Sequence, residues 1–334
     1  MSIKNRIELL DKIGQKLSAM PETQAIISEA AKQNTWFTPE FSQSSISAIC
    51  TEFLQAEKLS AWLKPYFIED NFKLNKTVGI IAAGNVPLVG FHDFLCCYIL
   101  GVSAQFKLSS KDTLLTRFVI QQILNEDKAY AQQFSFVEKL QNFDAVIATG
   151  SASSNRYFEH YFSKYPNILR SNRVSVAVLN GNETAQDLQM LANDIFQYFG
   201  LGCRNIAKLF IPDSFDTAKL FENFSAYSWL HQNSNFMNNY DYNRTILLMN
   251  KTPHQANDFV MLQENTDLHS PIATLYFERY TDFSEVEKKL NVQQNQIQCV
   301  VGLQSGMIPF GKAQQPTLSD YADGKDTIGF LLGL

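Results

Sequence analysis

Three short stretches hold residue types that could do chemistry. AAGNVP at 82–87 puts Asn85 before a Val-Pro pair, at the end of an apolar run. ATGSAS at 148–153 brings Thr149, Gly150 and Ser151 to the end of another such run. GLGC at 200–203 sets a thiol, Cys203, directly after a glycine-rich hinge. A cysteine thiolate is a nucleophile, whereas a buried cysteine is a small apolar filler. The other two stretches have the same double reading. Asn in a Val-Pro turn is turn chemistry, and Gly-Ser before a helix is a cap. Their placement separates them from the ordinary case. The first two fall at the carboxyl ends of strand patterns, where ligands bind in open α/β sheets.

The elements that must position them alternate. Residues 1–66 read as helices, from IELLDKIGQKL and SISAICTEFLQAEKLSAWL. KTVGIIAAGNVP (76–87) is a buried-strand pattern stopped by Gly, Asn and Pro. LVGFHDFLCCYIL reads as a buried helix, VSAQFKL (102–108) as a strand and KDTLLTRFVIQQILNE as a helix. FDAVIATG (143–150) is a third strand, and SASSNRYFEHYF is a helix entered through Ser. RVSVAVLN (173–180) and NIAKLFIP (205–212) are strands around the helix TAQDLQMLANDIFQYF. Further on, SFDTAKLFENFSAYSWL and DFSEVEKKLN read as helices, and SPIATLYFERY and QIQCVVG supply strands. A loop-rich tail follows. This alternation predicts parallel βαβ units, and 334 residues predict two closely joined domains.

Composition narrows the function. With 45% hydrophobic and 18% charged residues the chain is of globular type. The net charge is −5 and no Lys/Arg block stands out, so no nucleic-acid partner is expected. FLCCYILG is the longest apolar candidate and is too short to span a membrane. The polar, amphipathic start has no long apolar core, so no secretory leader is expected. Cysteines at 50, 96, 97, 203 and 299 are odd in number and irregular in spacing. That predicts free thiols and a cytoplasmic, reducing setting. Without CxxC or HExxH, and with scattered histidines, no metal site is expected. Three other motifs fail. GMIPFGKA (306–313) nearly matches a phosphate-binding loop, but Ala313 lacks the hydroxyl, and Pro309 and Pro316 disrupt the loop and the helix that should follow. GLGCRN breaks the dinucleotide pattern at Asn205. DYADGKD has the wrong acidic spacing for calcium, with Leu331 where the closing Glu belongs.

Taken in order, the three stretches resemble the aldehyde dehydrogenase superfamily, and within it the acyl-CoA reductase family of bioluminescence fatty-acid reduction. AAGNVPLVGFHDFL is similar to the family's Asn-containing motif, and FKLSSKDTLLT to its Lys-Pro-Ser-Glu segment. ATGSASSNRYF resembles the Thr-Gly-Ser turn, FGLGC the Gly-Gln-x-Cys loop and DLHSPIATLYF the Glu-x-Phe-Gly-Pro-Val motif. IPFGKAQQPTLSDYADGKDTIGFL looks like the reductase tail, so the resemblance spans about 76–334. It implies an α/β, three-layer αβα fold with a Rossmann-like cofactor domain and a catalytic domain. The expected division is a helical segment at 1–70, a cofactor domain at 71–195, a catalytic domain at 196–312 and a tail at 313–334. It implies that Cys203 attacks an acyl-CoA thioester while Asn85 and the Cys203 N–H hold the oxyanion. CoA then leaves, and hydride from NADPH (or NADH) releases an aldehyde. Lys107, Ser110, Thr149, Gly150, Ser151 and Asp267 would bind the cofactor.

The departures from the family pattern carry information. Its water-activating Glu aligns with Arg170, so an acyl-enzyme would persist until hydride or CoA arrives; Glu159 and Glu183 are the alternatives if that alignment slips. Leu201 replaces the Gln of Gly-Gln-x-Cys. Ser110 or Lys111 replaces the ribose-side Glu, which removes repulsion toward a 2′-phosphate. Asp267 is shorter than the expected Glu, and Glu264 is its alternate. Cys203 follows a helix C-terminus, where the dipole disfavours a thiolate, and Arg204 is one group that could compensate. Cys50, Cys96, Cys97 and Cys299 read as core, His92 as packing and His269 as a loop residue. Rival readings are a CoA-acylating aldehyde dehydrogenase running oxidatively, a non-catalytic subunit of an acyl-transfer complex, and a cysteine acyltransferase with a His base. Acyl-CoA is the expected substrate, and a homo-oligomer or acyl-transfer partner enzymes the expected company.

Overall fold

The computed structural model describes residues 1–170 and 173–334. The chain divides into two compact units, Met1–Asn172 with Pro316–Leu334, and Arg173–Gln315. By this partition residue 195, where a boundary was expected, lies inside the second unit, because β6 and β7 pair on either side of it.

The first unit opens with four helices, α1 (Ile3–Leu17), α2 (Pro21–Gln33), α3 (Pro39–Ala48) and α4 (Ala56–Leu63). The alternating region follows: β1 (Thr77–Ile81), α5 (Phe91–Leu100), β2 (Ser103–Lys107), α6 (Leu114–Glu126), α7 (Lys128–Ala131), β3 (Phe134–Phe136), β4 (Ala145–Thr149), α8 (Ala152–Phe162) and β5 (Asn167–Arg170). The five strands form one parallel sheet in the order β3-β2-β1-β4-β5. Right-handed crossovers then place α5 and α6 on one face and α8 on the other, the Rossmann-like arrangement. Strand order reverses at β1/β4, because β1 leads outward to β2 while β4 leads to β5. FHDFLCCYIL is apolar nearly all round because α5 lies between the sheet and the helices α1 and α13 (Thr327–Leu332).

One polar residue interrupts that run. Asp93 is buried on α5 and meets Arg170, the last residue of β5, in a two-pronged ion pair at 2.5 and 2.6 Å. Arg170 also donates to Thr149 Oγ1 at the end of β4 (3.3 Å) and to Thr327 Oγ1 on α13 (3.1 Å). The tail is fastened a second time, where Trp62 Nε1 and Tyr66 Oη meet Tyr321 Oη, each at 2.8 Å. Asp326, from the rejected calcium motif, caps α13 and accepts from Tyr66 Oη.

The second unit holds β6 (Val174–Val178), α9 (Ala185–Phe196), β7 (Ile206–Pro212), α10 (Ala218–Asn223), α11 (Ser234–Met249), β8 (Gln255–Ala256), β9 (Met261–Glu264), β10 (Thr274–Tyr280), α12 (Phe283–Val292) and β11 (Ile297–Gly302). Its sheet runs β11-β6-β7-β10-β9-β8, parallel except for the β8/β9 edge pair. The helix expected over 214–230 is shorter, with α10 followed by a 3₁₀ run at Ser225–Gln232. The sixteen-residue α11 has no counterpart in the sequence reading.

Asp93→Asn leaves the Arg170 guanidinium buried without its counter-charge. The expected loss is roughly 3–5 kcal/mol, read as a lower urea midpoint. A loss under about 1 kcal/mol would show that the pair does not hold these segments.

Candidate active site

In the first unit the expected cofactor residues gather at one sheet edge. Lys107 ends β2 and pairs with Ile81 at the end of β1; Ile81 in turn pairs with Ala148, next to Thr149. Asn85, Ser110, Gly150 and Ser151 lie in the loops leaving these three strands, on the side where open α/β sheets bind ligands. The loops are close-fitting. A Cβ on Gly84 would come within 2.4 Å of Ser109 Oγ, so glycine is required for the two loops to meet. A Cβ on Gly150 would strike Phe158 at 2.7 Å and Ser154 at 2.8 Å, where α8 packs back on its strand. Ser151 caps α8, its Oγ accepting from Ser154 N.

The Asn85 loop is held from outside. Leu88 adopts a left-handed φ of 63°, and its N–H donates to the buried Asp112 Oδ2 at 2.8 Å. Ser45 Oγ on α3 donates to Pro87 O at 2.9 Å, and Asn34 Nδ2 after α2 donates to Lys111 O at 3.0 Å. The N-terminal helices, which carry no motif, therefore brace both loops. Asp112 also accepts from the Thr116 N–H and hydroxyl, and burial pushes its carboxyl up. It is thus turned inward, and 107–111 offers lysine and serine with no carboxylate.

In the second unit Cys203 precedes β7 at the amino edge of the sheet. Of the five cysteines, all within the described residues, it alone is part-exposed rather than buried. Cys50, Cys96, Cys97 and Cys299 are buried, and burial pushes Cys50 up to about 11 and Cys96 and Cys97 well up. The chain enters the Cys203 turn through three consecutive left-handed residues, Tyr198 (φ 54°), Phe199 (58°) and Gly200 (74°). For the two aromatics this costs about 1–2 kcal/mol each. Burial of Phe199 between Trp229 (6.0 Å) and Phe236 (5.8 Å) offsets it.

Asp267 follows β9 and is exposed, on the connection 265–273 that leads back to the start of β10. The neighbouring Thr266 O accepts from Lys208, a buried lysine on β7 paired with Glu278. Burial pushes the Lys208 ammonium down, although Glu278 and Asp267 oppose it. Glu264, which ends β9, and His269, on the connection, are exposed.

The alternative carboxylates stand elsewhere. Glu183 follows β6 at the carboxyl edge, and its two oxygens accept from Asn180 N (2.6 Å) and Gly181 N (3.0 Å). Since β6 and β7 are parallel, Glu183 and Cys203 lie at opposite edges, roughly 20 Å apart along a strand at about 3.3 Å per residue. Glu159 is exposed on α8 of the first unit. His92 packs among Phe53, Trp62 and Tyr321, and burial pushes it down to about 4. Among the described residues no group of three or more His, Cys, Asp or Glu is placed to hold a metal ion. None of the described helices is long and apolar enough to cross a membrane.

Three residues near Cys203 carry no motif of their own. In the sequence Asn205 reads only as the break in a glycine pattern, and Ser175 as a strand residue. Asp194, at the end of α9, is fully buried and accepts from Gly311 N (2.7 Å) and Ala313 N (2.9 Å). These are the backbone N–H groups of the rejected phosphate-loop motif, so a carboxylate of the chain occupies that cradle. Arg204 donates to Ala313 O and its charge bears on Asp194.

No family model matches the sequence, and no curated protein matches it. Solved structures do. Aldehyde dehydrogenase 21 from Physcomitrella patens, in complex with succinate, aligns at TM-score 0.66 and 11% identity over 91% of this chain and 74% of that one. The NADP-dependent glyceraldehyde-3-phosphate dehydrogenase of Bacillus halodurans, complexed with NADP, aligns at 0.62 and 12% over 92% and 75%. The propionaldehyde dehydrogenase of a Clostridium phytofermentans microcompartment aligns at 0.62 and 11% over 94% and 82%. The chain has the aldehyde dehydrogenase fold. At these identities the likeness is one of fold. Within the aldehyde dehydrogenase fold, Asn85 and the residues at 107–151 belong to the first unit of this chain, and Cys203 and Asp267 to the second.

Burial pushes the Asp194 carboxyl up to about 7, against the two N–H donors and the Arg204 charge. A raised carboxyl favours the folded state at low pH. Its contribution is fully present below the unfolded value of about 3.9 and is lost as pH rises through about 7. Urea midpoints of the native chain should fall between about pH 4 and 7 and level off above that, and Asp194→Asn should flatten that fall. Equal slopes in the two proteins would contradict the assignment.

Proposed function

We propose that the protein is an NAD(P)H-dependent acyl-CoA reductase, which converts an acyl-CoA to an aldehyde through an acyl thioester on Cys203. The observation that carries this reading is the state of Arg170. At the position matched to the family's water-activating glutamate stands a guanidinium, buried and paired with Asp93. Glu183, at the opposite sheet edge from Cys203, does not stand in for that carboxylate in this reading. An acyl-enzyme with no base to activate water favours transfer to hydride over hydrolysis, and so a reductase over an acid-forming dehydrogenase.

In this reading the Cys203 thiolate adds to the thioester carbonyl. The oxyanion is held by the Cys203 N–H and the Asn85 amide. The bond to CoA breaks and CoA leaves as a thiolate. NADPH, when bound, supplies the hydride that reduces the acyl thioester. The resulting hemithioacetal collapses, breaking its bond to Cys203 and releasing the aldehyde. Thr149, Gly150 and Ser151 would border the pyrophosphate and nicotinamide, and Asp267 would hold the nicotinamide ribose. Lys107 and Ser110 would hold the adenosine ribose. With 107–111 lacking a carboxylate and Asp112 turned inward, that edge suits a 2′-phosphate, so NADPH is the expected donor.

The test is a single turnover with a long-chain acyl-CoA and no nicotinamide. Free CoA and an acyl adduct on Cys203 are expected, and neither with Cys203→Ala. Asn85→Ala should slow CoA release by roughly 10²–10³. Absence of any adduct from a folded protein, at every chain length tried, would overturn the reading.

A further inference from the structure

We propose that Asn205 and Ser175 form a clamp that positions Cys203 for attack. The inference rests on the reading of Cys203 as the nucleophile and adds two positioning residues to it. Gly202, Cys203, Arg204 and Asn205 make a tight turn with Cys203 at its second position. The turn is closed twice by Asn205. Its N–H donates to Gly202 O at 3.0 Å, and its Oδ1 accepts from Gly202 N at 2.8 Å. With Gly202 O pinned inward, the planar trans peptide directs the Cys203 N–H to the opposite side, out of the turn. That N–H is the backbone oxyanion donor of the proposed reaction.

The far side of Cys203 is held as well. Ser175 Oγ, on β6, donates to Cys203 O at 2.9 Å. The same oxygen receives the Cys299 N–H at 3.2 Å and lies 3.0 Å from Cys299 Sγ. A hydroxyl has one proton and two acceptor sites, and this arrangement uses all three. Ser175 N also donates to Asn205 O at 3.3 Å, which ties the two clamp residues together.

The remaining half of the Asn205 amide answers a problem in the sequence. Cys203 follows the C-terminal end of α9, whose unpaired carbonyls make a region unfavourable to a thiolate. Asn205 Nδ2 stands at 3.1, 3.2 and 2.7 Å from the carbonyls of Asp194, Ile195 and Gln197. Two protons shared among three carbonyls place positive charge where the helix end is negative. One buried side chain thus fixes the turn and reduces the field that opposes ionisation. Releasing Gln197 O would also free the left-handed run at 198–200 to relax.

Two variants test the clamp. Asn205→Asp keeps the size and loses the Nδ2 protons; Ser175→Ala loses one oxygen. Each is checked for folding by thermal melt. Two rates are then measured: alkylation of Cys203 by iodoacetamide, and CoA release in a single turnover with palmitoyl-CoA. Asn205→Asp is expected to slow both by about 10-fold or more at pH 7, and Ser175→Ala by about 3-fold or more. The acyl-CoA concentration giving half the maximal rate should change less than about 2-fold, since substrate binding is not what the clamp controls. Rates within about 2-fold of native in folded variants would overturn the proposal. So would rates that fall only through weaker acyl-CoA binding. If Asn205→Asp does not fold, Ser175→Ala decides by the same criteria. Alkylation needs no acyl-CoA, so the two readings fail separately. A native protein that alkylates in a clamp-dependent way but takes no acyl group contradicts the reductase, and one that is acylated equally well without the clamp contradicts the clamp.

Discussion

A guanidinium buried at the end of β5 fixes the first unit. Arg170 faces Asp93 on the central helix α5, Thr149 at the end of β4 and Thr327 on the C-terminal helix α13. Four segments far apart in sequence therefore meet at one charge. Burying an ion pair gains little over an apolar contact of the same shape, but half of such a pair is costly. The pair is best understood as a constraint on arrangement. α5 must present Asp93 here, and the tail must return to supply Thr327. The end of β4, from which the Thr149-Gly150-Ser151 turn departs, is set with them.

The same constraint bears on chemistry. A residue used as a structural cation is not available as a base. In the proposed reading, where Arg170 takes the place of the water-activating glutamate, the lack of a base is tied to the ion pair that fixes the first unit. The second unit solves a different problem, that of displaying a thiol after a helix end. It does so with an amide that serves the helix and the turn together, and with two aromatic residues forced into left-handed backbone.

Much of this architecture was legible in the sequence. Parallel strands buried on both faces read as short apolar runs, and β1, β2, β4, β6, β7, β10 and β11 were all read that way. α5 was legible because a helix covered on every side is apolar on every side. The edge strand β3 was not, since three residues carry no period. α11 was missed for a physical reason. NFMNNYDYN is rich in residues that compete with the helix backbone, and packing of Phe236, Tyr240 and Leu247 overrides that preference. Of the candidate site, Cys203, Asn85 and the strand-end residues stand out in the sequence through motif order. Asn205, Ser175 and Asp194 were not, because their roles come from hydrogen bonds between segments distant in sequence or from a turn that reads as a broken motif. The left-handed pair at 198–199 was also invisible, since aromatic side chains seldom take that backbone.

The most direct test of the account is the fate of an isolated acyl-enzyme. The protein would be acylated, freed of CoA, and divided between buffer and buffer with NADPH. The account predicts a thioester that survives in buffer and is converted to aldehyde, with loss of the adduct from Cys203, when NADPH is added. Rapid release of the free acid in both samples would contradict it, because it would show that this fold activates water after all.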